Sequence, residues 1–149
     1  MFRGAHSIQL DAKGRIAMPA LYRKKLLDEY NGELVITKHL VDQCLVLYPL
    51  PRWEELENTL AGLSSTNQKH RAIKRILLGN ASDVQLKNER IMIPSILREM
   101  VGLQKQIFLV GDGKSFQIWD KDQWNAQMEE DQTLLIESTD SEQLPDLPF

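Results

Sequence analysis

An arginine follows a short turn at two points in this chain of 149 residues. At the first point, "LDAKGR" places Lys13 at the tip of the turn and Arg15 directly after it, with Asp11 at the other end. The carboxylate of Asp11 could brace the turn or hold the guanidinium of Arg15. A guanidinium held in this way suits the major-groove edge of guanine, whose two acceptors take a bidentate pair of hydrogen bonds. The alternative is a plain ion pair across a turn.

The second turn weakens that alternative. "LKNER" keeps an arginine, Arg90, but has no aspartate, and Lys87 takes the approximate place of Asp11. An arginine that served only to pair with the aspartate would have no use there. Two basic turns would form a surface for a polyanion. Glu89 opposes this interpretation, because it would either repel phosphate or pair with Arg90.

Both turns belong to a longer internal repeat. When Arg15 is aligned with Arg90, the residues that follow match in the same order: Ile16 with Ile91, Met18 with Ile93, Pro19 with Pro94, Leu21 with Ile96 and Arg23 with Arg98. Further along, "CLVLYPLPRW" matches "SFQIWDKDQW". Each copy has about 50 residues, which bury too little surface to be comfortably stable alone. The repeat therefore predicts an internal pseudo-dimer, in which each half covers the apolar face of the other.

Short strands and helices must position the turns. Alternation over residues 7–10 predicts a strand, Gly14 ends the turn at positive φ, and residues 15–18 are predicted to be the return strand of a hairpin. A helix over "PALYRKKLLDEY" should stop at the Asn-Gly pair that follows. Other helices are predicted over "PRWEELENTLAGLSS", over "QKHRAIKRILLG" with Asn67 as its cap, and over "KDQWNAQM", with "TLLIE" as an added helical turn. The fold class is therefore α+β, with largely antiparallel strands and helices packed outside them.

Charge is distributed unevenly along the chain. The formal net charge is −3, but from Glu129 onward there are seven acids and no Lys or Arg. The first 128 residues hold all 18 Lys and Arg against 14 of the 21 Asp and Glu, a net charge of +4. A polyanionic partner is thus compatible with the acidic total, because the local field decides. The sequence has no apolar leader and no run long enough to cross a bilayer, so we expect a cytoplasmic protein without a membrane partner.

Patterns for catalysis and metal binding are missing from the sequence. His6, His39 and His70 are far apart and show no metal-ligand spacing. The chain contains no phosphate-binding glycine loop and no nucleophile elbow. We therefore expect no enzyme activity, no cofactor and no small-molecule substrate. Cys44 lies in the apolar run "CLVLYP" and is expected to be a small buried residue.

A second basic cluster lies in "KHRAIKRIL". Its cations are Lys69, Arg71, Lys74 and Arg75. The buried stripe of the same predicted helix would be Ala72, Ile73, Ile76 and Leu77. The cations are either the solvated face of an amphipathic helix or a surface for phosphate or another subunit.

Taken together, these motifs resemble the MraZ family of bacterial transcriptional regulators. The resemblance covers nearly the whole chain, through "MFRG", "LDAKGR", "CLVLYPLPRWEEL", "RILLGNAS" and "LVGDGKSFQIWDKDQW", and the D-x-x-x-R pattern of Asp11 and Arg15 is the family signature. It implies two tandem SpoVT-AbrB-like modules of the swapped-hairpin type and ring-shaped homo-oligomers. It also implies binding of duplex DNA at repeated G-rich boxes upstream of the division and cell-wall gene cluster, generally as a repressor, and association with the nucleoid.

The repeat and the resemblance divide the chain into four parts. These are a first AbrB-like module over 5–52, a linking helical segment over 53–80, a second module over 81–125 and an acidic tail over 126–149, which is expected to be partly disordered.

Site residues follow from the two turns and the resemblance. The residues expected to contact DNA are Arg15, Lys13, Arg3, Arg90 and Lys87. Arg15 would read guanine, while Lys13 and Arg3 would contact phosphate or help position the loop. Asp11 and Gly14 would orient the loop rather than touch DNA. Because "LKNER" lacks the aspartate and the glycine of the family motif, the second turn is not expected to copy the first in full.

Two other functions remain open from the sequence. One is a protein-binding regulator, similar to an antitoxin or an adaptor, built on an AbrB-like body. The other is RNA binding, which usually requires aromatic side chains exposed for base stacking. Trp53, Trp119 and Trp124 occupy repeat positions typical of a core or a packing surface, which disfavours RNA binding as the function.

Overall fold

A computed structural model describes residues 1–138 and 144–149 of the chain. The described residues form eight strands and five helices. In chain order these are β1 (Ala5–Gln9), β2 (Arg15–Ala17), α1 (Ala20–Tyr30), β3 (Glu33–Lys38), β4 (Leu45–Pro49), α2 (Leu50–Ala61), α3 (Gln68–Leu77), β5 (Ser82–Gln85), β6 (Arg90–Met92), α4 (Ser95–Met100), β7 (Gln106–Gly111), β8 (Phe116–Asp120) and α5 (Lys121–Glu137).

The main sheet interleaves the two copies of the repeat. Its six strands lie in the order β1-β7-β8-β4-β3-β5, and every neighbouring pair is antiparallel. Strand β1 of the first copy pairs with β7 of the second, while β5 of the second copy pairs with β3 of the first. Each copy therefore completes the sheet of the other, and the predicted α+β fold of two interlocked β modules is confirmed.

Strands β1 and β2 do not form the predicted hairpin. The turn between them is closed by hydrogen bonds, but β2 then leaves β1 and pairs with β6 in a separate two-stranded ribbon. We call β2 and β6 the paired ribbon. At its centre Ile16 lies opposite Ile91, and both are buried. Pairing of these strands across the pseudo-twofold axis buries both isoleucines together, which explains why a local hairpin is not formed.

One apolar core serves both copies. It includes Ile16 and Leu26 from the first copy and Ile91, Leu97 and Phe116 from the second, each at most 1% exposed. A fully buried side chain of this size contributes about 1.5–3 kcal/mol relative to an exposed one. Because these side chains pack in a single cluster, neither copy has a core of its own.

Two predicted helix boundaries are confirmed. Helix α1 ends at Asn31, whose left-handed conformation (φ 54°) is followed by Gly32 at φ 68°. Helix α3 begins after Asn67, whose side chain accepts hydrogen bonds from the backbone amides of Lys69 and His70. The buried stripe predicted for α3 is only partly right: Leu77 is buried, whereas Ala72 is exposed, since α3 rests on the sheet mainly through its last turn.

Helix α5 is longer than predicted. It continues from Lys121 through Met128 to Glu137, so that "KDQWNAQM" and "TLLIE" belong to one helix. The intervening "EEDQ" contains no glycine or proline, and glutamate and glutamine propagate a helix well. Half of the predicted acidic tail is therefore helical, and residues 139–143 lie outside the described part of the chain.

Cysteine and tryptophan positions agree with the sequence. Cys44 is buried, and burial raises the pKa of its thiol to about 12, so the thiol is protonated at neutral pH. Trp53 and Trp119 are buried, while Trp124 is half-buried and packs edge-on against Trp119 at 5.7 Å between ring centroids. None of the helices in the described residues has the length and apolar character that crossing a membrane requires.

Candidate nucleic-acid interface

The first turn is organised by the carboxylate of Asp11. Its Oδ1 accepts hydrogen bonds from the backbone amides of Lys13 (2.9 Å) and Arg15 (2.8 Å), and its Oδ2 accepts one from Nε of Arg15 (2.9 Å). The backbone carbonyl of Asp11 accepts from the amide of Gly14, which has φ 82°. This is a three-residue loop with glycine in the left-handed position. Asp11 thus braces the turn and holds the Arg15 guanidinium as well.

Part of the Arg15 side chain remains available for another contact, although the ionised Asp11 carboxylate holds it. The backbone amide of Arg15 and then its guanidinium, opposed by partial desolvation, lower the pKa of Asp11 below its usual value. The carboxylate is therefore ionised at neutral pH, and the brace is lost only as the pH falls through that lowered pKa. The bond to Asp11 uses Nε; within the described residues the two Nη atoms of Arg15 donate no hydrogen bond. The side chain is 36% exposed.

The second turn is shorter and closed differently. Asn88 and Glu89 both have positive φ, 50° and 67°. The backbone amides of Lys87 and Arg90 donate to each other's carbonyl oxygens at 2.9 and 3.0 Å. This is a two-residue hairpin turn with two left-handed residues, whose twist fits the flanking strands. The second loop is therefore one residue shorter than the first.

The paired ribbon brings the two arginines together. Ala17 lies opposite Arg90, and Arg15 lies opposite Met92. Both arginines line one surface groove of about 410 Å³, together with Lys87 and Asp83. Nη1 of Arg90 is 4.0 Å from Oδ2 of Asp11, so a single carboxylate lies near both guanidinium groups. The two basic turns, which the sequence analysis combined into one surface, thus lie beside the same groove.

Arg3 lies apart from this surface. It precedes β1, whereas the first turn follows β1, so the strand separates them by roughly 20 Å at about 3.3 Å per residue. The N-terminal segment is fixed there: Phe2 forms a bridge with Gly113, and the Tyr22 hydroxyl donates to the carbonyl of Arg3. The structure therefore does not bring Arg3 to the two turns, and a phosphate contact from Arg3 stays a prediction.

Arg98 is a neighbour of the first turn to which the sequence assigned no role. Its Nε donates to the carbonyl of Ile93 at 3.0 Å, and its guanidinium covers Gly14 so closely that a Cβ there would lie 2.6 Å from Arg98 Cζ. The equivalent arginine of the first copy, Arg23, binds Glu89 through Nη1 at 2.6 Å. Of the two roles that the sequence left open for Glu89, repelling phosphate or pairing with Arg90, the ion pair observed is with Arg23 instead of Arg90. The alignment of Arg23 with Arg98 was the only signal for either contact.

The basic cluster of α3 has partly structural contacts. Nη1 of Arg71 donates to the carbonyl of Thr66 at 2.9 Å, and Nδ1 of His70 accepts from the amide of Ser64 at 3.0 Å. These bonds close the loop between α2 and α3. In the described parts of the chain no three His, Cys, Asp or Glu side chains are grouped closely enough to hold a metal ion.

Comparison with known proteins shows to which family this chain is similar. Residues 1–76 and 77–145 each match the sequence model of one family, described as "MraZ protein, putative antitoxin-like". The chain is 49% identical over 132 residues to the "Transcriptional regulator MraZ" of Pseudomonas aeruginosa (strain LESB58), covering 88% of this chain and 87% of the relative. It is 47% identical over 127 residues to proteins of the same name from Pseudomonas putida (strain GB-1) and Pseudomonas entomophila (strain L48), covering 85% of this chain and 84% of each relative.

The relatives that match most of this chain are named transcriptional regulators, and the class is one of regulators rather than enzymes. The chain belongs to the MraZ family, as its motifs had indicated.

Proposed function

We propose that this protein regulates transcription by binding duplex DNA through the paired ribbon and its two turns. The observation that carries the proposal is the Arg15 guanidinium, which is fixed through Nε by Asp11 while both Nη atoms remain available. A guanidinium fixed before binding loses little conformational freedom on contact with a guanine edge. A two-stranded ribbon also fits the width of the major groove.

Five charged residues of the surface have a role in this proposal. Arg15 reads guanine, and Lys13, exposed at the tip of the first turn, contacts phosphate. Lys87 and Arg90 extend the cationic surface along the same groove. Asp11 orients the loop and does not touch DNA, because a carboxylate near phosphate is repelled.

Substitutions of Asp11 separate its two roles, which are to brace the backbone of the turn and to hold the Arg15 guanidinium. Asp11→Asn keeps one oxygen to accept from the amides of Lys13 and Arg15, but its amide nitrogen then faces Nε of Arg15, donor against donor. We expect a folded protein whose affinity for G-rich duplexes falls roughly fivefold or more, the lower end of the value of a bidentate arginine–guanine pair. Asp11→Ala also removes the backbone brace and should lower the affinity further. Equal binding by wild type and Asp11→Asn, measured by fluorescence anisotropy, would show that the guanidinium needs no fixing.

One chain cannot account for tight operator binding. A bidentate arginine–base pair gives about 1–3 kcal/mol of discrimination. A homo-oligomer, proposed as a ring, presents several such surfaces to repeated G-rich boxes, and each later contact occurs at high effective concentration. The proposed target lies upstream of the division and cell-wall gene cluster, the proposed effect is repression, and the proposed location is the nucleoid in the cytoplasm.

A binding experiment with three duplexes tests the proposal. The first carries one G-rich box, the second carries several boxes in one helical register, and the third carries the same boxes with half a helical turn inserted between them. We expect the second to bind far more tightly than the other two, with a steep fall in affinity as salt rises because counterions are released. Equal affinity for all three, or for a scrambled duplex, would contradict sequence-specific binding by an assembly.

A protein-binding regulator is the second candidate. The description of the matched family includes "antitoxin-like", which favours a function through a protein partner. In that case a partner should co-purify with the tagged full-length protein after nuclease treatment, and the second duplex should not be retained at moderate salt. Retention of the duplex with no associated protein would exclude this candidate.

A further inference from the structure

One break in the pseudo-twofold symmetry lies in the turns, directly before the strands of the paired ribbon. The repeat places Glu89 where the first copy has Gly14, and the backbone is the same at both, with φ 67° and 82°. Their carbonyl oxygens also make equivalent bonds: that of Gly14 accepts from the amide of Ile93, and that of Glu89 accepts from the amide of Met18, both at 2.9 Å. The two turns therefore share the same backbone geometry at this position, where the second turn carries a carboxylate and the first carries no side chain.

This difference changes the charge beside each turn. At the first turn the guanidinium of Arg98 covers Gly14 and has no acidic partner among the described residues. At the second turn the equivalent guanidinium, that of Arg23, is neutralised by Glu89 at 2.6 Å. Of the two equivalent guanidinium groups, only that of Arg98 is left without a carboxylate among the described residues. The first turn also contains a carboxylate, that of Asp11, but it is 32% exposed and bonded to two backbone amides, whereas that of Glu89 is 71% exposed.

Stability does not explain the presence of Glu89. A residue with a Cβ in the left-handed region is strained, and glycine adopts this conformation without that cost. The Glu89 side chain is 71% exposed, and an ion pair with so exposed a partner adds little to the stability of the fold. The carboxylate therefore has its main effect on whatever approaches the second turn.

We propose that Glu89 is a specificity-determining residue of the DNA interface. Its carboxylate repels phosphate and sequesters Arg23, so that the chain grips a duplex mainly through the first turn. This inference rests on the proposed DNA-binding function. The internal pseudo-dimer then binds with a direction along the duplex, and a single chain does not require two inverted half-sites.

The test uses full-length protein and two matched substitutions. Glu89→Gln removes the charge and keeps the Cβ and the length of the side chain. Glu55→Gln is the control, since Glu55 also pairs with an arginine, Arg52, at 2.7 Å with similar exposure, but on α2 and outside the two turns. Affinity is measured for a duplex with G-rich boxes and a scrambled duplex over a range of salt concentrations, and thermal melting checks the fold.

Glu89→Gln should bind both duplexes more tightly, by about three- to tenfold per bound chain at low salt, with a salt dependence steeper by roughly one released counterion per chain. Because the gain is in phosphate contact, the ratio of affinities for the two duplexes should fall. Arg23→Gln in the same background should remove the gain, while Glu55→Gln should bind as the wild type does. If Glu89→Gln melts early, Glu89→Gly removes the same charge at a backbone position that suits glycine.

Two negative results are distinguishable. If the wild type binds the box duplex while the Glu89 variants bind no more tightly than Glu55→Gln, this inference is overturned and the proposed function stands. If the wild type binds neither duplex, both fail.

Discussion

Arg15→Ala should abolish the preference for G-rich boxes and leave the fold intact. The substitution removes the guanidinium that Asp11 holds in a fixed orientation, at a cost of about 1–3 kcal/mol for each engaged chain. On a duplex with several boxes these losses accumulate, so the measured affinity should fall on the order of a hundredfold or more. The melting temperature should change little, because Asp11 keeps its bonds to the backbone amides of residues 13 and 15, and an ion pair that is 36% and 32% exposed adds little stability.

Arg15→Lys is the matched control for this result. Lysine keeps the positive charge but has neither the planar fork nor the Nε that Asp11 holds. We expect it to bind scrambled DNA with nearly wild-type affinity and salt dependence, while the preference for boxes is lost. Early melting of Arg15→Ala would instead support the plain ion pair as the role of Asp11 and Arg15. Undiminished preference for boxes in that variant would remove Arg15 from the interface.

The features that could be predicted from the sequence are local ones. The first turn depends on bonds between residues no more than four apart, all of them centred on Asp11, and the residue types Asp and Gly at its ends specify that geometry. The ends of α1 and α3 are set by Asn31 and Asn67 in the same local way. Such signals are complete within a short window of sequence.

The pairing of distant strands could not be predicted in this way. Two strands joined by a tight turn give the same local pattern whether they pair with each other or with strands elsewhere. The partner of β2 lies about 75 residues away in the repeat, and three-residue strands carry too little pattern to select it. The alignment of Ile16 with Ile91 held that information, because residues related by a twofold axis can lie opposite each other on the axis. The pairing of Arg23 with Glu89 depends on that same symmetry, and so it was missed.

Neither half of the chain should fold alone as a monomer. If the chain is divided after Gly79, the first half retains β1 without β7 and β2 without β6, and the second half retains β5 without β3. Each half also exposes the side of the shared core that the other covers. Fewer than about 80 residues with half a core rarely supply enough apolar burial to offset the conformational entropy of folding.

Mixing the two halves should restore the fold. Residues 1–79 and 80–149, prepared separately and diluted, should show no cooperative melting, whereas an equimolar mixture should give a 1:1 complex that melts cooperatively. Because β3 is the repeat equivalent of β7, a half at high concentration can pair its own β1 with β3 of a second copy, so any structure in a single half should depend on concentration. A half that melts cooperatively as a monomer at every concentration would contradict the prediction.

A cleavage control separates folding from association. A protease site placed in the exposed loop of residues 62–67, between α2 and α3, interrupts the chain after the full fold has formed. The cut fragments should stay together and melt close to the intact protein, since residues 62–67 belong to no strand and the interleaved strands hold the two fragments together. Separation of the fragments on cleavage would contradict this prediction. It would show that the strand pairs β1–β7 and β3–β5 and the shared core do not hold the two copies together without the connecting chain.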